Sequence, residues 1–166
     1  MAKVLVVIAE EGFQDKEYED TKHMLEKNGH QAITASTKEK AHGKLGRMQE
    51  IDIMLNQANE PDFDAIAFIG GPGCSQYYTD EIALNLAKSF YNAGKITSAI
   101  CAAPTILANA GLLNGKTCTC HDSQADTITK KGANYTGQPV ETDGILITAN
   151  GPSSAMQFGE TISKSL

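Results

Sequence analysis

Four cysteines are the side chains of this sequence best suited to covalent chemistry: Cys74, Cys101, Cys118 and Cys120. Cys101 stands apart by its context. It follows the run Lys95-Ile96-Thr97-Ser98-Ala99-Ile100 and precedes Ala102-Ala103-Pro104, which reads as a helix start. Backbone N–H groups at a helix start carry partial positive charge and favour a thiolate, so the spacing predicts a thiol pKa lowered from about 8.5. The small residues Ala99, Ala102 and Ala103 let the chain turn sharply and leave space above the sulfur, as a nucleophile elbow requires. Such a turn also presents the Ala102 N–H to a substrate oxygen. A small buried thiol at a strand-to-helix junction is equally a common packing element, so the elbow alone leaves catalytic and structural roles open.

Other residues at strand ends could complete a site. Gly70-Gly71 follows the run Asp64-Ala65-Ile66-Ala67-Phe68-Ile69. No P-loop lysine comes after it, and Gly-Gly-Pro-Gly is not a dinucleotide fingerprint. If the Gly70-Gly71 strand and the Cys101 strand are neighbours, the Gly71 and Ala102 N–H groups could form one oxyanion hole. Glu10, Glu11, Asp15, Glu17, Glu19 and Asp20 cluster after the first strand, and most are expected to be a solvated helix start. One carboxyl reaching the thiol could serve as acid or base, and spacing does not select which. In Cys118-Thr119-Cys120-His121, strand alternation would put both cysteines on one face and His121 on the other, so no metal site is expected there. His121 is a better partner for Cys101, since both lie at strand carboxyl ends. Asn150-Gly151-Pro152 closes the set after the last strand, and His23, His30 and His42 are expected to have no catalytic role.

The elements that must position these residues follow from hydrophobic period. Val4-Leu5-Val6-Val7-Ile8-Ala9 reads as a strand buried on both faces of a parallel sheet. Tyr18, Thr21 and Leu25 then mark a helix stopped by Asn28-Gly29, and Ala32-Ile33-Thr34-Ala35 marks a second strand. Residues 37 to 62 are expected to hold a short strand at Ile51-Asp52-Ile53-Met54-Leu55 and a polar connection. After the Gly70-Gly71 strand, Thr79 is expected to cap a helix carrying Ala83, Leu86, Ala87 and Phe90, ended by Gly94. Ile106, Leu107 and Ala110 mark the helix after Cys101, with Pro104 in its first turn. Further strands are expected at Thr117 to His121, Ala133 to Thr136 and Ile145 to Ala149, the last preceded by an Asp143-Gly144 turn. Ser154 and Gln157 suggest a capping box for a final helix bearing Ala155, Phe158, Gly159 and Ile162. Alternating strands and helices predict an α/β fold with helices on both faces of a mostly parallel sheet.

Composition narrows the partners. With 166 residues, 41% of them hydrophobic, the chain is expected to form one domain over 1-166. A formal net charge of -6 with no local Lys/Arg cluster argues against nucleic acid. No stretch approaches a transmembrane span and the N-terminal apolar run is too short for a signal segment, so a cytoplasmic protein with no membrane partner is expected. In that reducing setting the cysteines are expected to be free thiols.

Together these motifs resemble the ThiJ/PfpI superfamily, in the branch that contains the parkinsonism-associated protein deglycase. The carrying residues are Gly12-Phe13-Gln14-Asp15-Lys16-Glu17, Ile69-Gly70-Gly71, Ala99-Ile100-Cys101-Ala102-Ala103-Pro104-Thr105, Ala110 to Lys116, Thr119-Cys120-His121, and Asp143 to Thr148 with Gly151-Pro152. The resemblance implies a flavodoxin-like three-layer sandwich, a homodimer and no cofactor. It implies that Cys101 is the nucleophilic, peroxide-sensitive cysteine and Glu17 the protonated glutamate bonded to it. Gly70, Gly71, Ala102 and Pro152 would then bind substrate or oxyanion, and His121 would line the pocket. The implied activity is on reactive dicarbonyls, a glyoxalase converting methylglyoxal to lactate or a related deglycase. The alternatives are a redox sensor or protective chaperone acting through Cys101 oxidation and, more weakly, an amidotransferase-like or peptidase-like hydrolase. Ala102 stands where the peptidase branch has His, and no histidine follows His121, which weighs against the hydrolases. Asn150 stands where some relatives carry Arg, which puts anion binding there in doubt.

Overall fold

A computed structural model describes residues 1–166. Its strands are β1 (Lys3–Val7), β2 (Glu11–Phe13), β3 (Gln31–Ser36), β4 (Lys40–Gly43), β5 (Met48–Glu50), β6 (Ile53–Met54), β7 (Ala65–Phe68), β8 (Ile96–Ile100), β9 (Thr117–Cys118), β10 (Asn134–Tyr135), β11 (Val140–Asp143) and β12 (Leu146–Ala149). The helices are α1 (Asp15–Lys27), α2 (Glu81–Asn92), α3 (Pro104–Asn109), α4 (Ala125–Lys130) and α5 (Ala155–Lys164).

The apolar runs became the middle of a seven-stranded sheet ordered β11-β12-β8-β7-β1-β3-β6. Every pairing in it is parallel except β11 with β12. All of β7, β8 and β12 is buried, as continuous apolar strands covered on both faces must be. Helices α1 and α5 pack together on one side, and α2 packs with α3 on the other, giving the flavodoxin-like α/β sandwich. One cluster of 46 buried residues joins the layers. No helix is long and apolar enough to cross a membrane.

Sheet order decides where a site can form. From β1 the chain crosses to β3 on one side, and it later returns to lay β7 on β1's other side. That reversal opens a crevice beyond the carboxyl ends of β1 and β7, the usual ligand position in open α/β sheets. The loops after β1, β7 and β8 all meet there.

Several local expectations are corrected. Asp80, not Thr79, caps α2, its carboxylate accepting the Ala83 N–H at 2.9 Å. An ionised carboxylate at a helix start is favoured by the helix dipole as well as by the bond itself. Ser154 makes no capping bond to α5, because its hydroxyl bonds Asn150 Oδ1 at 2.6 Å. The strand expected from Thr117 to His121 ends at Cys118, since Thr119 N–H is taken by the Thr148 hydroxyl at 2.9 Å and His121 N–H by Cys101 O at 2.7 Å. The alternation argument for Cys118, Cys120 and His121 therefore lapses. Cys118 and Cys120 are buried and Cys74 lies in the core, all as free thiols.

Candidate active site

Cys101 is the residue immediately after β8, and its φ of 66° makes it the only non-glycine residue with positive φ. A left-handed conformation costs an ordinary residue about 1–2 kcal/mol, so the surroundings must impose it. They do so with hydrogen bonds. Cys101 N–H donates to Ala149 O at 2.8 Å, Ala103 N–H to Ile100 O at 3.0 Å, and Cys101 O accepts from His121 N–H. The result is the nucleophile elbow that the small alanines suggested, with its sulfur at the edge of a pocket and the residue only 7% exposed.

Strands β7 and β8 are neighbours, Phe68 opposite Ala99, so Gly70-Gly71 comes beside the elbow. The Gly71 and Ala102 N–H groups act on the Cys101 sulfur to favour its thiolate, which puts them beside it for an oxyanion. Gly71 adopts φ 101°, a conformation that glycine accepts without strain. Gly70 is constrained by space instead: a Cβ there would lie 2.7 Å from Cys101 Cβ and 2.8 Å from Glu17 Oε1.

Glu17 arrives from α1. Gln14 caps that helix, its side chain accepting the Lys16 and Glu17 N–H groups at 2.8 and 3.3 Å, and Gln14 N–H donates to Gly70 O at 2.8 Å. One helical turn is thus tied to the glycine loop. Tyr18 next to Glu17 is anchored by its hydroxyl to Thr34 Oγ1 at 2.7 Å and by an edge contact with Phe13. Glu17 is fully buried. Its Oε1 accepts the Gly70 N–H at 3.0 Å, Oε2 is buried without a hydrogen-bond partner, and the carboxyl lies beside the Cys101 thiol. Burial raises the Glu17 pKa to about 7, against the opposing effects of the bonds to Cys101 and Gly70. Most of the acidic cluster is indeed at the surface, but Asp15 is buried together with Glu17.

The expected lowering of the Cys101 pKa is reversed. Burial and then the charge of a neighbouring ionised Glu17 push the thiol up, while the Gly71 and Ala102 N–H groups pull it down. Helix α3 is only 6 residues long and begins at Pro104, so it contributes little dipole at the sulfur. Both groups are thus pushed toward their protonated forms, and as close neighbours they titrate as a unit.

The pocket above the sulfur measures about 380 Å³. Gln14, Gly71, Ala102, His121 and Pro152 line it with Cys101, so the residues singled out in the sequence converge. Gly70 and Glu17 lie beneath. His121 Nδ1 accepts the Ser123 N–H at 3.1 Å and lies 2.8 Å from the Ser123 hydroxyl, so its ring is held at the rim by its own turn. Five lining residues were missed: Lys44, Ser75, Tyr78, Ser123 and Gln124. Tyr78 donates its hydroxyl to Ala102 O at 2.9 Å and steadies the elbow. Lys44 comes from the turn between β4 and β5, a region whose Gly-containing polar sequence carries no periodic signal.

The DJ-1/PfpI family model matches residues 2–165. A protein of Pyrococcus abyssi named as a deglycase is 30% identical over 151 residues, covering 90% of this chain and 90% of its own. A glutathione-independent glyoxalase, DJR-1.2 of Caenorhabditis elegans, is 30% identical over 163 residues, covering 98% of this chain and 87% of its own. The crystal structure of a ThiJ/PfpI domain protein from Brachyspira murdochii superposes with a TM-score of 0.95 at 33% identity, covering 99% of this chain and 97% of that one.

Proposed function

From the premise that the chain belongs to the DJ-1/PfpI family, we propose that it is a cysteine enzyme converting small reactive dicarbonyls to 2-hydroxy acids, with methylglyoxal going to lactate. The observation that carries this reading is the Cys101–Glu17 pair: a strained elbow sulfur, two backbone donors, and a buried carboxyl whose pKa is raised to about 7. A general base works best near the operating pH, and that is where burial puts Glu17.

The steps follow from these positions. Cys101 sulfur attacks the aldehyde carbon, and the thiol proton passes to the Glu17 carboxylate. The new oxyanion takes the Gly71 and Ala102 N–H groups as donors. Glu17 returns that proton to the oxyanion, giving the hemithioacetal, and the regenerated carboxylate then carries a proton from the thiol-bearing carbon to its neighbour through an enediol, which yields a thioester of the 2-hydroxy acid. Water cleaves that thioester, releases lactate and returns the thiol, so methylglyoxal plus one water balances one lactic acid. Deglycase action on early protein adducts would use the same groups. Relatives named as a deglycase and a glyoxalase support this class of activity. The test is lactate formation from methylglyoxal by the wild type and by Cys101→Ser; equal rates would exclude the reading.

A second reading draws on the same donors. Oxidised to a sulfinate, Cys101 would present oxygens to the Gly71 and Ala102 N–H groups and to protonated Glu17, whose Oε2 is buried without a hydrogen-bond partner. Peroxide treatment followed by mass spectrometry distinguishes selective Cys101 oxidation from none.

A further inference from the structure

We propose that Lys44 is an anion-recognition residue of the Cys101 pocket and that the ligand it takes is a small 2-hydroxy or 2-oxo carboxylate. The inference deepens the reading above by assigning a site for the acid product.

The pocket has an unusual charge balance for an acidic protein. Its lining is Gln14, Lys44, Gly71, Pro72, Ser75, Tyr78, Cys101, Ala102, His121, Ser123, Gln124 and Pro152, in which Lys44 is the one lysine or arginine and no aspartate or glutamate occurs. Lys44 makes no ion pair with any carboxylate of the chain. The chain carries a formal net charge of -6, so an unpaired cation over a pocket is a local exception to the average field. Its charge favours the ionised form of Glu17 below.

The turn that carries Lys44 is built, although it lies at the surface. Asp15, only 8% exposed, receives the Leu45 N–H on Oδ1 and the Arg47 N–H on Oδ2, each at 2.9 Å. Lys44 N–H donates to Phe13 O at 2.8 Å, and the Arg47 guanidinium lies 5.4 Å over the Tyr18 ring. A Cβ at Gly43 would fall 2.3 Å from Asp15 Oδ2, so the turn and the carboxylate close on each other without space for a larger residue. All these anchors sit on the segment that also delivers Glu17. The cation is consequently held relative to the reacting pair, with its backbone fixed and its side chain left to reach a ligand.

Asn150 accepts the Ser154 hydroxyl and lines a neighbouring depression. Lys44 is the positive charge at the Cys101 pocket itself. A ligand with a carboxylate next to a hydroxyl or carbonyl carbon fits both ends: the carboxylate to Lys44, the adjacent oxygen to the Gly71 and Ala102 N–H groups. A neutral dicarbonyl lacks the first interaction and its acid product has it.

The experiment measures protection of Cys101 from iodoacetamide by lactate and by neutral propane-1,2-diol, read by mass spectrometry on the intact chain. It needs no turnover, so its outcome is separable from that of the glyoxalase test. In the wild type, lactate protects at lower concentration than the diol, and added salt weakens lactate alone. Lys44→Gln is expected to raise the half-protecting lactate concentration about tenfold, equivalent to ~1.4 kcal/mol, with Lys44→Arg restoring most of it and the diol unaffected. Equal protection by lactate and diol in the wild type overturns the assignment, as does an unchanged lactate response in Lys44→Gln. An equal loss for both ligands also overturns it, because that marks damage to the pocket and not loss of a charge contact. Folding of each variant is checked by its urea midpoint.

Discussion

Replacing Glu17 by Gln should stabilise the fold at neutral and alkaline pH while removing the proton carrier. Burial raises this carboxyl from 4.5 to about 7 in the folded chain. Below pH 4.5 it is protonated in both folded and unfolded states and contributes nothing to the pH dependence. Between 4.5 and about 7 the folded state holds the proton that the unfolded state has released, so stability falls as pH rises. Above about 7 the group is ionised in both, and the full cost of a buried charge is present. That shift corresponds to a cost of ~3 kcal/mol at about 1.4 kcal/mol per pH unit. Gln has the same shape, keeps an acceptor for the Gly70 N–H, and never ionises. Urea unfolding of wild type and Glu17→Gln at pH ~4.5 and pH ~8 should show the variant gaining about 3 kcal/mol relative to wild type between the two conditions. In thermal scans the same change is about 6–12 °C. A stability difference between the two proteins that does not vary with pH would refute the burial argument and with it the assignment of Glu17 as the proton carrier.

Gly70→Ala should cost about 1–3 kcal/mol, because its Cβ would meet Cys101 Cβ, Ile100 O and Glu17 Oε1 within 2.8 Å. The urea midpoint reads that cost, and the methylglyoxal rate of the folded fraction should fall as the pair is wedged apart; an unchanged rate would contradict the tight geometry. Asp15→Ala should cost about 1–3 kcal/mol by leaving the Leu45 and Arg47 N–H groups without their acceptor. Hydrogen exchange should show those two amides losing protection, whereas amides in β8 keep theirs.

How much was legible depended on how local the cause was. The elbow could be read because an apolar run, three alanines and a proline lie within a few residues of Cys101. The partnership of Gly71 with Ala102 hung on strand order, which arises from how β7 and β8 pair and leaves no mark within either strand. Glu17 could not be separated from its acidic neighbours by charge, although Glu17, Thr21 and Met24 fall on one buried stripe of α1 and that period was available. The lowered thiol pKa failed because a short helix start was weighed without the burial and the carboxylate that tertiary packing adds. Residues 37 to 62 carry little local signal because their order comes from outside: the turn bearing Lys44 is held by Asp15, 30 residues earlier for Leu45 and 32 for Arg47. Strand β11 escaped notice as well, since it is a half-buried edge with Glu141 and Asp143 breaking any apolar pattern.

The central claim is that the Glu17 carboxylate takes the Cys101 thiol proton as the sulfur attacks a carbonyl. It is tested most directly by kcat/KM for lactate formation from methylglyoxal as a function of pH, with Cys101→Ser as the baseline. The account predicts a Cys101-dependent rate that rises through an apparent pKa near the value of about 7 held by the buried carboxyl. A rate that is flat across that range, or equal in the Cys101→Ser protein, would contradict it.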